Sequence, residues 1–127
     1  MSQAQKILSM MTKDEMQCWF RSMWSDLKGA STRGGHPAPY PVELAERLIR
    51  MFSFAGDWVL DPFMGTGSTN SAAIVAGRNS VGNELEASYF DLAVKRVGEI
   101  ASVRKHFGPT EAALSRVETP ERRARTA

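Results

Sequence analysis

The run from Val59 to Gly77, VLDPFMGTGSTNSAAIVAG, joins an acid and a proline to a glycine-rich turn and then to a stretch of helical character. Glycine lets a backbone approach a ligand with no Cβ in the way. The amides that open the following helix then face that ligand. Gly65 and Gly67 stand in this turn, with Asp61 just ahead of it. A nucleoside triphosphate loop would need a lysine before the helix, and the turn has none. A dinucleotide loop would need a third glycine for close helix–strand packing; here Asn70 stands in its place. The carboxylate of Asp61 is awkward for a pyrophosphate and suits a cationic centre. Glu84, at the end of the next strand-like run, can accept from ribose hydroxyls, as acids do in dinucleotide folds. A lone acid at a strand end is ordinarily a solvated group; its pairing with DPFMGTGS gives it meaning. The pattern asks for a ligand with a ribose and a positive centre. S-adenosylmethionine carries a ribose, an ammonium group and a sulfonium.

These residues need elements to hold them. WVLDPF reads as a short buried strand that ends at Pro62, which cannot donate to a ladder. STNSAAIVA reads as a helix stopped by Gly77. NSVGNE is a second strand, and residues 87–106 form a long helix with Tyr89, Leu92, Ala93, Val97 and Ile100 on one side. Upstream, VELAERLIRMFSF is an amphipathic helix with Leu44, Ala45, Leu48, Ile49 and Phe52 inward, and Pro41 suits its first turn. Thr12 and Glu15 form a capping-box pattern. A helix is expected from there to about Asp26, with Met16, Trp19, Phe20, Met23 and Trp24 on one face. Residues 1–11 are expected to be loose, and Lys28 to Pro41 reads as a loop. The order of helices and strands is that of a right-handed parallel α/β sheet with two readable strands. Three regions follow: an N-terminal helix and loop over 1–35, a ligand-binding subdomain over 36–107 and a flexible basic tail over 108–127.

The chain has 127 residues, 43% of them hydrophobic and 24% charged, with a net charge of +2. That length gives one domain at most. The charge is too small to identify a nucleic-acid partner by itself. The single cysteine, Cys18, excludes an internal disulfide framework and suits a reducing cytoplasm; beside Trp19 it reads as a small buried apolar residue. No apolar run reaches the roughly 20 residues that span a bilayer, so no membrane partner is expected. The N-terminus does not read as a signal peptide. No metal site is read.

HPAPYPVELAERLI, VLDPFMGTGST, AGRNSVGNE and YFDLAVKRV together resemble the C-terminal part of the N4-cytosine and N6-adenine DNA methyltransferases. The likeness is to the arrangement in which the cofactor-binding region follows the catalytic one. It implies a partial Rossmann-like fold, an incomplete parallel sheet flanked by helices, with S-adenosylmethionine as cofactor and DNA as substrate. By this resemblance Asp61, Pro62, Phe63, Gly65 and Gly67 form the cofactor loop. Ser68 and Thr69 cap the next helix and face the methionine part, and Glu84 binds the ribose hydroxyls. His36, Pro37, Pro39 and Tyr40, in HPAPYP, close over the methionine end.

The same family carries its chemistry on [Asp/Asn/Ser]-Pro-Pro-[Tyr/Phe/Trp]. Its polar residue accepts from the exocyclic amine, and its ring stacks on a base flipped from the helix. This chain has DPFM and PAPYP but no such motif, so no catalytic residue is assigned. The expectation is a cofactor-binding part, active only with a complementary chain that brings the motif. The alternative is a non-catalytic module that binds cofactor or partner. A dinucleotide-dependent oxidoreductase fragment would instead bind NAD, against which Asn70 and the Asp61–Pro62 pair argue.

Overall fold

The computed structural model describes residues 1–29, 40–104 and 110–118. Its framework is a parallel sheet of β1 (Trp58–Asp61), β2 (Asn79–Glu84) and β3 (Ala112–Arg116), in the order β1-β2-β3. Trp58 lies opposite Asn79, and Asp61 opposite Gly82. Ser80 lies opposite Ala112, and Glu84 opposite Arg116. Helix α4 (Ser68–Val75) carries the chain from β1 to β2, and α5 (Ala87–Arg104) carries it from β2 to β3. Both crossovers step the same way across the sheet. Right-handed connections therefore put both helices on one face, where they touch each other.

Helix α3 (Val42–Phe52) packs on α4. Their interface is Ala45 and Ile49 against Ala72, Ala73 and Ala76, with Val42 and Val59 at its border. Alanines at the contact let the two helix axes approach closely, which leaves little room for voids. The chain turns through Gly56 into β1, with a backbone bond from the Gly56 amide to Gly77 O at 2.9 Å.

Several elements differ from those read in the sequence. Two strands were expected and a third forms, β3, within the segment taken as a flexible tail. AALSR has weak strand propensity of its own, but the edge of β2 supplies partners, and pairing context outweighs propensity. Ser80 N–H donates to Glu111 O and Val117 N–H to Glu84 O, each at 2.8 Å. The side chains of Asn79 and Asn83 add bonds from Glu111 N–H and Ser115 Oγ.

Residues 3–9, expected to be loose, form α1 (Gln3–Ser9). Ser2 and Gln5 make a capping box that the sequence shows once it is looked for. The helix opening at Thr12 is α2 (Lys13–Trp19), shorter than expected. It stops because Trp24 folds back, its indole N–H donating to Trp19 O at 2.9 Å. Arg47, buried on α3, holds that fold. It pairs with Asp26 at 2.6 Å and Glu43 at 2.7 Å, and sits 5.7 Å and 5.5 Å from the rings of Trp19 and Trp24. Arg50 pairs with Glu15 at 2.7 Å and lies 4.8 Å from the Trp19 ring. Ala45 and Ile49 of the expected inward stripe of α3 are buried, and Arg47 is buried beside them. Leu48, Phe52, Met16, Phe20 and Met23 are exposed, as is Leu92 on α5. Cys18, expected to be buried, is exposed because its short helix meets α3 through Trp19 and Glu15 instead.

Arg78 is fully buried at the start of β2. It donates to Leu8 O at 2.9 Å, Ala76 O at 2.5 Å, Ser53 O at 2.6 Å and Ser53 Oγ at 3.1 Å. One guanidinium thus fastens α1, the end of α3 and the α4–β2 turn. Replacing Arg78 with Met would take these bonds from the carbonyls of Leu8, Ser53 and Ala76, which are partly or fully buried. Arg78→Met is expected to destabilise the protein by ~3 kcal/mol or more, read from a lower urea midpoint at unchanged slope, and to speed amide exchange throughout α1.

Candidate functional site

The loop from Pro62 to Gly67 leaves the carboxyl end of β1, where open α/β sheets hold ligands. Its course is fixed from both sides. Asp61 Oδ1 accepts from Phe63 N–H at 3.1 Å, which turns the chain out of the strand. Met64 is buried and donates its amide to Asn83 O at 3.0 Å, tying the turn to β2. Gly65 N–H donates to Glu84 Oε2 at 2.8 Å. Gly65 and Gly67 have φ of 52° and 80°, a region that β-substituted residues rarely adopt. At Gly67 a Cβ would also lie 3.2 Å from Ala93 Cβ and 3.3 Å from Val97 Cγ2. Gly67 therefore sets how near α5 comes to the start of α4.

Glu84 uses both oxygens. Oε2 holds Gly65, while Oε1 accepts from Leu85 N–H and Glu86 N–H, each at 2.8 Å. Its carboxylate thus joins the glycine turn to the turn that opens toward α5. Tyr40 reaches the other flank, with its hydroxyl bonded to Thr69 Oγ1 and 3.4 Å from Asp61 Oδ2. Burial raises the pKa of the Tyr40 phenol, the Thr69 bond opposes this, and the nearby Asp61 charge adds to the rise. The phenol keeps its proton and is a donor. Beneath it, Tyr40, Leu44, Ala45, Leu48, Ile49 and Thr69 line an apolar groove of about 290 Å³.

The structure thus brings Tyr40, Asp61 and Thr69 together, and separately Gly65 and Glu84. Pro62 and Phe63 are exposed at the turn; Phe63 is 88% accessible, so its ring is not a core ring. Ser68 and Thr69 do not cap α4 as expected. The N-cap is Gly67 and it makes no side-chain bond to the helix. The Ser68 hydroxyl is buried and accepts from Arg96 Nη1 at 3.3 Å, and the Thr69 hydroxyl is engaged by Tyr40. A glycine in the left-handed region already reverses the chain there, which frees both hydroxyls for other partners. His36, Pro37 and Pro39 lie outside the described residues.

Asn70 is a feature that sequence reasoning noticed without explaining. It is fully buried on α4, where a dinucleotide fold keeps a glycine. Its room comes from across the interface. A Cβ on Gly82 would lie 2.5 Å from Met64 Sδ, 2.8 Å from Asn70 Nδ2 and 2.9 Å from Asn70 Oδ1. The missing side chain sits on the strand instead of the helix. The glycine of SVGNE was the signal available for this.

The parallel sheet, its flanking helices and the glycine turn at the end of β1 fit the class of S-adenosylmethionine-dependent methyltransferase folds. The model of the DNA methylase family for N6 and N4 methyltransferases matches residues 2–95, and the chain belongs to that family. It is 51% identical to the type II methyltransferase M.MthZI of Methanothermobacter thermautotrophicus, over 68% of this chain and 26% of that protein. It is 43% identical to M.MjaI of Methanocaldococcus jannaschii, over 68% of this chain and 30% of that one. The chain thus spans less than a third of the length of these curated relatives. Among solved structures, a DNA modification methylase from Thermus thermophilus superposes with a TM-score of 0.69 at 41% identity, covering 89% of this chain and 44% of that one. A further structure of that protein, in complex with S-adenosyl-L-methionine, superposes with a TM-score of 0.67.

Gly82→Ala is expected to destabilise the fold by about 1–3 kcal/mol through overpacking. Combining it with Asn70→Ala should recover part of that loss, which a double-mutant cycle of thermal melts measures as a favourable coupling.

Proposed function

We propose that this chain is the cofactor-binding part of a DNA methyltransferase that moves a methyl group from S-adenosylmethionine to an exocyclic amine, N6 of adenine or N4 of cytosine. The observation that carries this is the Glu84–Gly65 bond at 2.8 Å, which sets a glycine turn and an acid side by side at the strand ends. Asp61, with the Tyr40 hydroxyl beside it, faces the cationic methionine end. Phe63, exposed at the turn, offers a ring face to the adenine. His36, Pro37 and Pro39 precede Tyr40 in sequence and belong to the same methionine-side segment. Pro62, Gly67, Ser68 and Thr69 shape the wall of the site.

Glu84 binds the ribose in a more restricted way than an idle acid would. A carboxylate has about four lone-pair sites, and three backbone amides already use this one. One ribose hydroxyl can be accepted without loosening the turn. A second requires the Gly65 amide to share its acceptor.

When bound, S-adenosylmethionine would supply the methyl group from its sulfonium, leaving as a neutral thioether, and the proton lost from the amine would pass to solvent by way of the group that accepts from it. The group that accepts from the amine belongs to a Pro-Pro motif that is not in this sequence. That motif and the recognition of DNA come from a part of the enzyme outside these 127 residues.

The test is a calorimetric titration of the purified chain with S-adenosylmethionine. One-to-one binding is expected, with no methyl transfer to DNA by the chain alone. Glu84→Ala should weaken binding by about 1–3 kcal/mol, as expected for loss of a charged hydrogen-bonding partner. A folded chain that takes up no cofactor would refute the assignment. Gly65→Val should abolish binding, because positive φ and the space for ligand both exclude a β-branched side chain.

A further inference from the structure

One phenol hydrogen faces two acceptors. The Tyr40 hydroxyl is bonded to Thr69 Oγ1 and lies 3.4 Å from Asp61 Oδ2. Burial raises the pKa of this phenol, the Thr69 bond opposes the rise, and the Asp61 charge adds to it. The group is therefore protonated and has a single hydrogen to donate. That hydrogen can go to the Asp61 carboxylate or to the Thr69 hydroxyl, but not to both at once. Where Asp61 takes it, the Thr69 hydroxyl can turn its own hydrogen to the phenol oxygen. Where Thr69 takes it, Asp61 Oδ2 loses its donor.

Asp61 cannot escape the choice by turning away. Its Oδ1 accepts from Phe63 N–H at 3.1 Å, which orients the carboxylate. Its backbone is held in β1, opposite Gly82 of β2. Among the described residues no lysine or arginine forms an ion pair with Asp61, and Oδ2 receives no hydrogen bond except that of Tyr40.

The phenol is placed by a helix contact. Tyr40 directly precedes Pro41, the N-cap of α3. Helix α3 packs on α4 through Ala45 and Ile49 against Ala72, Ala73 and Ala76, and Thr69 stands in the first turn of that same α4. The approach of Tyr40 to Thr69 is thus set by how α3 lies on α4, whereas Asp61 belongs to the strand. The Asp61 contact is the longer of the two and the easier to give up.

We infer that Tyr40 is a specificity-determining residue that competes with the ammonium group of the cofactor for Asp61: in the empty site its hydroxyl donates to Asp61 Oδ2, and an arriving ammonium displaces it to Thr69. This rests on the reading of Asp61 as the acid that faces the cationic methionine end. The exchange puts a charged donor in place of a neutral one at the same oxygen, and charge-assisted bonds are the stronger. It leaves no polar group bare, since Thr69 accepts the hydrogen that Asp61 releases. The ligand loses part of what the new bond contributes, because only molecules whose phenol has turned away are ready to accept the ammonium. The hydroxyl therefore sets how much the ammonium adds to binding.

The test compares two nucleosides by calorimetric titration of the purified chain. S-adenosylhomocysteine carries the ammonium group without a sulfonium. Methylthioadenosine keeps the adenine, ribose and sulfur and lacks the amino-acid part. The ratio of their affinities reads what the amino-acid end adds. Tyr40→Phe removes the competing hydroxyl and should raise that ratio about threefold in favour of S-adenosylhomocysteine. Thr69→Val removes the alternative acceptor, so the phenol keeps its hold on Asp61 and the ratio should fall. Asp61→Asn should lower the ratio and make it insensitive to a further Tyr40→Phe change. Circular dichroism checks that each variant is folded. A merely structural role for Tyr40 would shift both nucleosides together, and an unchanged ratio would overturn the inference. So would a lower ratio in Tyr40→Phe, because the hydroxyl would then be binding the ligand itself. Failure of the unvaried, folded chain to take up either nucleoside would sink the functional reading and this inference with it, whereas uptake of both with a ratio indifferent to Tyr40 tells against the exchange alone.

Discussion

A single hydrogen bond, from the Gly65 amide to Glu84 Oε2, connects the two strand ends on which the site stands. The bond is local in space but not in sequence, because the whole of α4 and nearly all of β2 intervene. It forms only if β1 and β2 lie in register, with Asp61 opposite Gly82. That register in turn needs α4 to lie flat against β2, and α4 can do so because Gly82 leaves room for Asn70 and Met64. The glycine turn is thus a product of sheet packing as much as of its own sequence. Its backbone is held in the open-site shape by groups outside the turn, which lowers the ordering cost when a ligand arrives.

The remainder of the molecule is organised by fastening. The described N-terminal helices have no core of their own: no residue in α1 or α2 is buried. They are attached by cations. Arg47 and Arg50 reach out from α3 to two carboxylates and two indoles. Arg78 reaches the other way, to a carbonyl of α1. Guanidinium groups suit this because several fixed donors can engage carbonyls, carboxylates and ring faces at once.

Much of this could be read beforehand. β2 has the bounds that NSVGNE indicates, and the helices after Pro41 and after the glycine turn start where they were placed. These elements carry their signals locally, as glycine stops, periodic apolar residues and strand ends marked by proline. The errors fall where a distant partner decides. β3 is a strand because β2 offers an edge, and α2 ends early because Trp24 returns to Trp19. Leu48 and Phe52 fit an inward stripe by spacing yet are exposed, and Arg47 is buried because Asp26 and two indoles wait for it. At the site, residue types were legible but partners were not. That Glu84 holds a loop amide, that Tyr40 bonds Thr69, and that Ser68 turns toward Arg96 all depend on tertiary placement.

The fit at Gly82 ties three distant positions into one choice. A methyl group on the strand residue would meet Met64 Sδ and both amide atoms of Asn70 at once. The turn, the helix and the strand therefore share one small volume, and a change of size at any of residues 64, 70 and 82 is felt at the other two.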